Sequence, residues 1–256
     1  MKNFLKKVVY GLAGRPSSEL AGPPAVQGFE CNSRQDHEAL VRLWHDAELA
    51  SGDYRYVVNS LDYSSFGCLN QFRWLSDVRF LEIGSFEGYT SNFLADNYLL
   101  GPASSLTCVD PWIDYSKATE NNIKGHDHIM NEDTFLRFSQ NTKRNSSRIK
   151  VCRGASLDVL QELNDSFHFV FIDGDHSTSA VWKDAVLSTR LLRKGGYLLF
   201  DDYDWSEGRS NPKPAIDLFE STYQHCFQLI PTMNNQRLFR LVREVPSDTP
   251  SLDLFD

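Results

Sequence analysis

The chain has 256 residues, 41% of them hydrophobic, and a formal net charge of −8. That is enough to bury one large α/β core, and too acidic for a surface that neutralises nucleic-acid phosphates. Five cysteines (Cys31, Cys68, Cys108, Cys152 and Cys226) are odd in number, widely separated and without Cys-x-x-Cys spacing; they suit free thiols in a reducing, cytoplasmic compartment rather than a disulfide framework or a zinc site. No apolar run reaches the ~18 residues that a membrane span needs.

Residues 1–28 read as a basic amphipathic helix followed by a linker. Phe4, Leu5, Val8, Val9 and Leu12 share one helical face and Lys2, Lys6 and Lys7 the other. This pattern suits weak contact with a membrane surface or packing on a partner subunit, as in a homo-oligomer. Gly, Pro, Ser and Ala then crowd residues Gly14 to Gly28. Residues 29–76 form a helical extension: Ser33 caps a helix on which Leu40, Leu43, Trp44 and Ala47 share a face, Ser51-Gly52 ends it, and a weaker helical region runs from Ser60 to Leu75. Neither has strand signals, so both are expected to cover an end of a sheet.

Strand signals begin at Arg79–Ile83 and continue at Ser105–Val109, Ile149–Cys152, Phe167–Ile172 and Tyr197–Phe200. Helical patterns separate them at Tyr89–Leu99, Glu132–Lys143, Leu157–Leu163 and over about sixteen residues that end at Gly195-Gly196. A helix at Pro214–Gln224 follows, and then Phe227–Pro231 and Arg237–Val242 flank Met233-Asn234-Asn235-Gln236, a hairpin signal that gives the sheet an antiparallel last strand. Residues 77–245 are the catalytic domain on this reading, and residues 246–256 a tail.

Two features carry chemistry. The first strand runs through Gly84-x-x-x-Gly88 into its helix, and only glycine lets a backbone approach a ligand that closely. Asp110 ends the second strand, where an acid can hold ribose hydroxyls. The second feature is the unit from Phe167 to Trp205. A right-handed crossover returns the chain to the same sheet, so Asp173 should emerge beside Asp201 and Asp202, and strands ~4.8 Å apart let such acids share one cation.

With those residues in hand the sequence resembles the class I S-adenosylmethionine-dependent methyltransferases, and within them the family related to macrocin-type and catechol-type O-methyltransferases. The resemblance rests on Glu82-Ile83-Gly84-Ser85-Phe86-Glu87-Gly88, Val109-Asp110-Pro111-Trp112, Gly154-Ala155-Ser156, Ile172-Asp173-Gly174-Asp175-His176, and Gly195-Gly196 followed by Asp201-Asp202-Tyr203. It implies a Rossmann-like sheet of seven strands with the last antiparallel. It places Glu82, Gly84 and Ser85 near the methionine end of S-adenosylmethionine, Asp110 on the ribose, and Ala155 and Ser156 beside the adenine; with Gly88 and Asp173 these form the expected cofactor set. Residues before about Leu75 lie outside it.

Methyl transfer from a sulfonium needs an aligned, deprotonated acceptor. Asp173, Asp201 and Asp202 offer the hard oxygen ligands that suit Mg²⁺ or Mn²⁺, which would stabilise the alkoxide. His176 is the candidate general base, with Asp173 in reserve. Asp175 is set aside as a helix cap. His126 and His128 flank Asp127 in a polar loop read as solvated, and Trp112, Tyr203 and Trp205 are read equally as cavity wall or packing. The expected activity is O-methylation of a hydroxyl on a small molecule or sugar. A related non-methylating enzyme on the same fold, and a catalytically inactive cofactor-binding protein, remain open alternatives.

Overall fold

The computed structural model describes residues 33–50, 56, 63–112, 133–206, 208, 210–232, 235–248 and 250–256. The expected basic helix of residues 1–28, Cys31, the Ser51-Gly52 stop and the His126-Asp127-His128 loop lie outside the described residues.

Among the described residues seven strands form one sheet: β1 (Arg79–Ile83), β2 (Ser105–Asp110), β3 (Ile149–Arg153), β4 (Phe167–Ile172), β5 (Leu192–Phe200), β6 (Phe227–Ile230) and β7 (Arg237–Leu241). Their order is β3-β2-β1-β4-β5-β7-β6. β7 runs antiparallel between β5 and β6, so the hairpin signal is borne out. The helices are α1 (Arg34–Ala50), α2 (Tyr89–Asn97), α3 (Asp133–Asn141), α4 (Ser156–Glu162), α5 (Thr178–Leu191) and α6 (Lys213–Tyr223). Ser33 accepts from the Asp36 amide at 3.1 Å, the N-cap that the sequence leads one to expect. The weak helical region resolves into a 3₁₀ segment, Ser64–Phe72.

A parallel sheet buried on both faces needs apolar residues at successive strand positions, and β4, Phe-His-Phe-Val-Phe-Ile, supplies them. Phe169 and Phe171 face one core with Phe66, Phe80 and Trp44, while Val170 and Ile172 face a second with Trp182, Phe200 and Phe219. Each such side chain fully buried contributes roughly 1.5–3 kcal/mol. The first core carries the N-terminal extension. Trp44 donates from Nε1 to Asp96 at 2.9 Å, and Arg144 bridges Glu48 on α1 (2.8 Å) to Asp96 on α2 (2.6 Å).

One boundary differs from the sequence reading. α5 ends at Leu191, and Gly195-Gly196 sits inside β5, where the register slips between Phe167 and Phe169. Gly195 has φ +84°, and a Cβ on Gly196 would meet the Arg193 and His168 carbonyl oxygens at 2.8 and 2.9 Å. The glycine pair therefore serves an irregularity of the strand, not a helix stop.

Candidate functional site

The carboxyl ends of the parallel strands converge. Gly84 donates its amide to the Val109 carbonyl, Asp173 to that of Ile83 and Asp201 to that of Ile172, at 2.9–3.0 Å. These bonds stitch the ends of β2, β1, β4 and β5 into one rim. Gly84 has φ +88°, and a Cβ there would stand 2.0 Å from the Asp173 carbonyl oxygen, so the β1 turn can approach β4 only as glycine. Gly88 (φ +82°) opens α2 and faces Thr142 and Phe138.

Glu82 shares a face of β1 with Phe80 and is fully buried. Its Oε2 accepts from Ser85 at 2.7 Å, from Ser91, and from the Cys108 thiol at 3.4 Å, while Oε1 has no partner. Burial pushes its pKa up to about 7 against these hydrogen bonds, and the charge of Asp173 adds to the rise. Asp110, at the end of β2, accepts from the amides of Phe86 (3.0 Å) and Trp112 (2.6 Å), and Trp112 returns an Nε1 hydrogen bond to the Phe86 carbonyl at 2.7 Å. Burial raises Asp110 as well, opposed by those amides.

These loops open on a cavity of about 520 Å³, within the usual span of small-molecule sites. Of the expected cofactor residues, Gly84, Asp110, Ala155, Ser156 and Asp173 line it. Glu82, Ser85 and Gly88 stand behind the wall. Phe86 and Trp112 line it too, as do Lys183 and Asp184 of α5, neither of which the sequence singled out. α5 offers no motif at these two positions; their exposure to the cavity follows from how the helix is rotated.

Beside the cavity, Asp173, His176 and Asp202 present ligand atoms all within 4.8 Å of one another. His176 Nε2 lies 3.6 Å from Asp173 Oδ1 and 3.3 Å from Asp202 Oδ2, buried and without a well-aligned hydrogen bond. Asp201 stands outside this trio: its Oδ1 accepts from the Asp202 amide at 2.9 Å and from Gln236 at 3.2 Å. It is still close to the other acids, because burial together with the charges of Asp173 and Asp202 pushes its pKa up to about 8. Asp173 is raised by burial, with the nearby His176 opposing the rise. For His176 burial opposes the charged form, but Asp173, Asp202 and Asp175 outweigh it and the pKa rises. An under-bonded ring nitrogen between two carboxylates fits a divalent ion, and a nitrogen donor among oxygens suits Mn²⁺ at least as well as Mg²⁺.

The surrounding residues divide clearly. Asp175 accepts from the Ser177 amide at 2.8 Å, and Ser177 caps α5 through Ala180. Trp205 lies 5.7 Å from the His176 ring, and its buried Nε1 has no partner. Tyr203 is packing: its hydroxyl donates to Asp217 at 2.6 Å and the Arg237 guanidinium covers its ring at 3.4 Å. No described helix is long and apolar enough to cross a membrane.

Residues 81–203 match the family Methyltransf_24, described as a methyltransferase domain. The chain is 27% identical over 144 residues to the uncharacterized protein R132 of Acanthamoeba polyphaga mimivirus, a match covering 55% of this chain and 58% of that protein. Among solved structures it superposes on an O-methyltransferase from Bacillus cereus in complex with SAH at TM-score 0.53, with 15% identity over 94% of this chain and 97% of the other. The O-methyltransferase TomG from Streptomyces achromogenes, involved in tomaymycin synthesis and in complex with SAM, gives TM-score 0.53 and 15% identity over 94% and 98%. At that identity the superpositions speak to the fold.

Proposed function

We propose that this chain, a class I methyltransferase, transfers the methyl group of S-adenosylmethionine to a hydroxyl of a small molecule or sugar, with a divalent cation at the acid cluster. The observation that carries the reading is the meeting of Asp173, His176 and Asp202 at one point beside a cavity whose wall holds Gly84 and Asp110.

The strand order lays out the parts. Along the rim run the ends of β3 (Ala155, Ser156), β2 (Asp110), β1 (Gly84), β4 (Asp173) and β5 (Asp201, Asp202). Asp110 would hold the cofactor's ribose hydroxyls, with Ala155 and Ser156 toward its base and Asp173 toward its sulfonium. Glu82, behind the β1 turn, supplies negative charge at the methionine end. Asp173 and Asp202 would hold the ion, joined by His176 or by Asp201; when bound, the ion would lower the acceptor hydroxyl's pKa. His176 takes the acceptor proton when it is not itself a ligand, and Asp173 is then the charge that steadies the imidazolium. Trp205, 5.7 Å from the His176 ring, would offer an indole face to the acceptor, suited to an aromatic or sugar ring.

The test is turnover with a panel of hydroxylated acceptors, with Mg²⁺, Mn²⁺ and chelator arms. Asp202→Ala should lower metal-stimulated turnover by about 10²-fold or more while S-adenosylhomocysteine affinity stays within about threefold. Wild-type turnover unaffected by excess chelator would remove the metal from the reading, and no methyl transfer to any hydroxyl would leave a cofactor-binding protein.

A further inference from the structure

The pole of the sheet opposite the rim carries apolar side chains that the described fold leaves uncovered. Trp74 and Leu75, in the turn that leads to β1, are 66% and 51% exposed, and Trp74 is the most exposed large hydrophobic residue among those described. Pro102 and Ala103 extend the patch, since the Ala103 amide donates to the Ser76 carbonyl at 2.8 Å and Gly101 sits against the Leu75 carbonyl. The turn stands on a packed base. Phe72 meets the rings of Phe80, His168 and Tyr197 at 6.0, 5.4 and 6.2 Å, and Gln71 donates to the Tyr197 hydroxyl at 3.0 Å. The fold therefore holds the Trp-Leu pair outward, although burying it would gain free energy.

The same rings tie this turn to a group of cations. Arg193, at the amino end of β5, lies 2.8 Å from His168 Nε2, and its charge is felt at Asp77 in the turn. Arg240 lies 5.8 Å from the centre of the Tyr197 ring, Lys194 follows Arg193, and all three cations are exposed. The acids beside them, Asp77 and Asp165, are both engaged by Arg79, at 3.2 and 3.3 Å. Arg193, Lys194 and Arg240 make no ion pair among the described residues. On a chain of net charge −8, this pole thus gathers positive charge around an exposed Trp-Leu pair. We infer that it docks on an anionic phospholipid surface, with Trp74 and Leu75 entering the headgroup layer and the three cations set against the lipid phosphates. An indole suits that boundary, and cations gain from the surface potential of an anionic leaflet. Residues 1–28 carry the same chemistry in sequence, Phe4, Leu5, Val8, Val9 and Leu12 on one helical face and lysines on the other, so the pole would add a second contact to that one. Trp74 precedes the amino end of β1 and the cavity lies past its carboxyl end, on the order of 15 Å away. Docking therefore leaves the cavity open to water, and it does not depend on the reaction proposed above.

The experiment is sedimentation of the full chain with vesicles of phosphatidylcholine alone and of an equal mixture with phosphatidylserine. Wild type should bind the anionic vesicles at least about tenfold more strongly, and added salt should erode that preference. Trp74→Ser combined with Leu75→Ser should weaken binding to the anionic vesicles about tenfold. Arg193→Glu combined with Lys194→Glu should do the same while leaving binding to the neutral vesicles within about threefold of wild type. Trp74→Phe should keep binding within about threefold but lose most of the fluorescence quenching that brominated lipid causes in wild type. Wild type without a preference for anionic vesicles overturns the inference. So does undiminished binding by both double variants, which would leave residues 1–28 as the contact. Sedimentation velocity without lipid tests the other occupant: a dimer that Trp74→Ser dissociates would make this pole a contact between copies and overturn lipid docking. Should a double variant not fold, the quenching of wild type against Trp74→Phe still decides.

Discussion

Glu82 sets up a measurable conflict between stability and binding. Its carboxyl is fully buried, and its pKa moves from 4.5 to about 7. At ~1.36 kcal/mol per pKa unit, keeping it ionised in the unliganded fold costs about 3 kcal/mol. The folded state holds this proton more tightly than the unfolded chain does. The stability associated with the protonated form is therefore complete below about 4.5, declines as pH rises, and is gone above about 7. Glu82→Gln keeps an acceptor for Ser85 and Ser91 but has no proton to lose. Chemical denaturation of both proteins at pH 5, 6.5 and 8, with matched m values, isolates the effect because every other titrating group is common to the two. The variant should exceed wild type by about 1 kcal/mol at pH 5 and by about 3 kcal/mol at pH 8. A stability difference that stays constant across this range would refute the reasoning. A cationic methionine group placed near the carboxylate would lower its pKa again, so S-adenosylhomocysteine affinity in wild type should rise with pH through about 7. In Glu82→Gln the affinity should be weaker and this dependence reduced.

Three further outcomes are expected. Arg144→Ala leaves Glu48 and Asp96 buried without their cation and should cost about 3–5 kcal/mol, read as a lowered Tm; an unchanged Tm would show that α1 is not held by this bridge. Gly84→Ala places a methyl 2.0 Å from the Asp173 carbonyl at φ +88°, so it should lose more than about 2 kcal/mol and lower turnover beyond what the lost stability explains. His176→Ala should reduce turnover about 10²–10⁴-fold and flatten the acid limb of the pH profile, whereas an intact limb would show that another group takes the proton.

How legible the molecule was in its sequence depended on the range of the interaction involved. The period of Arg79–Ile83 and Phe167–Ile172, the Asn-Asn hairpin and the Ser33 cap are local, and all three were readable. Gly195-Gly196 was misread because glycine commonly follows a helix, and only the pairing partner, Phe167 to Phe169, shows it to be a strand irregularity. The acid cluster was half legible. Strand adjacency predicts that the ends of β4 and β5 meet. Consecutive residues on an extended chain point to opposite sides, however, so Asp201 and Asp202 need not share one orientation. The fold turns Asp202 toward His176 with φ +52° and gives Asp201 Oδ1 to Gln236. That Asp184 lines the cavity depends on the rotation of α5 against the sheet, which no local pattern encodes.

The distribution of backbone strain argues that the rim was shaped for binding. Among the described residues Phe86, Trp112 and Asp202 are the non-glycine residues with positive φ, at 43°, 43° and 52°. Each follows the carboxyl end of a parallel strand, and such conformations cost on the order of 1–3 kcal/mol each. They persist because local bonds hold them. Asp110 accepts from the amides of Phe86 and Trp112, Trp112 donates back to the Phe86 carbonyl, and the Asp202 amide donates to Asp201. A carboxylate has about four acceptor sites, so Asp110 can keep both amides and still take hydroxyls from a ligand. The acid that fixes two strained turns is thus also placed to grip what lies between them. On the proposed reading, ligand binding and the shape of the rim converge on one side chain at the end of β2.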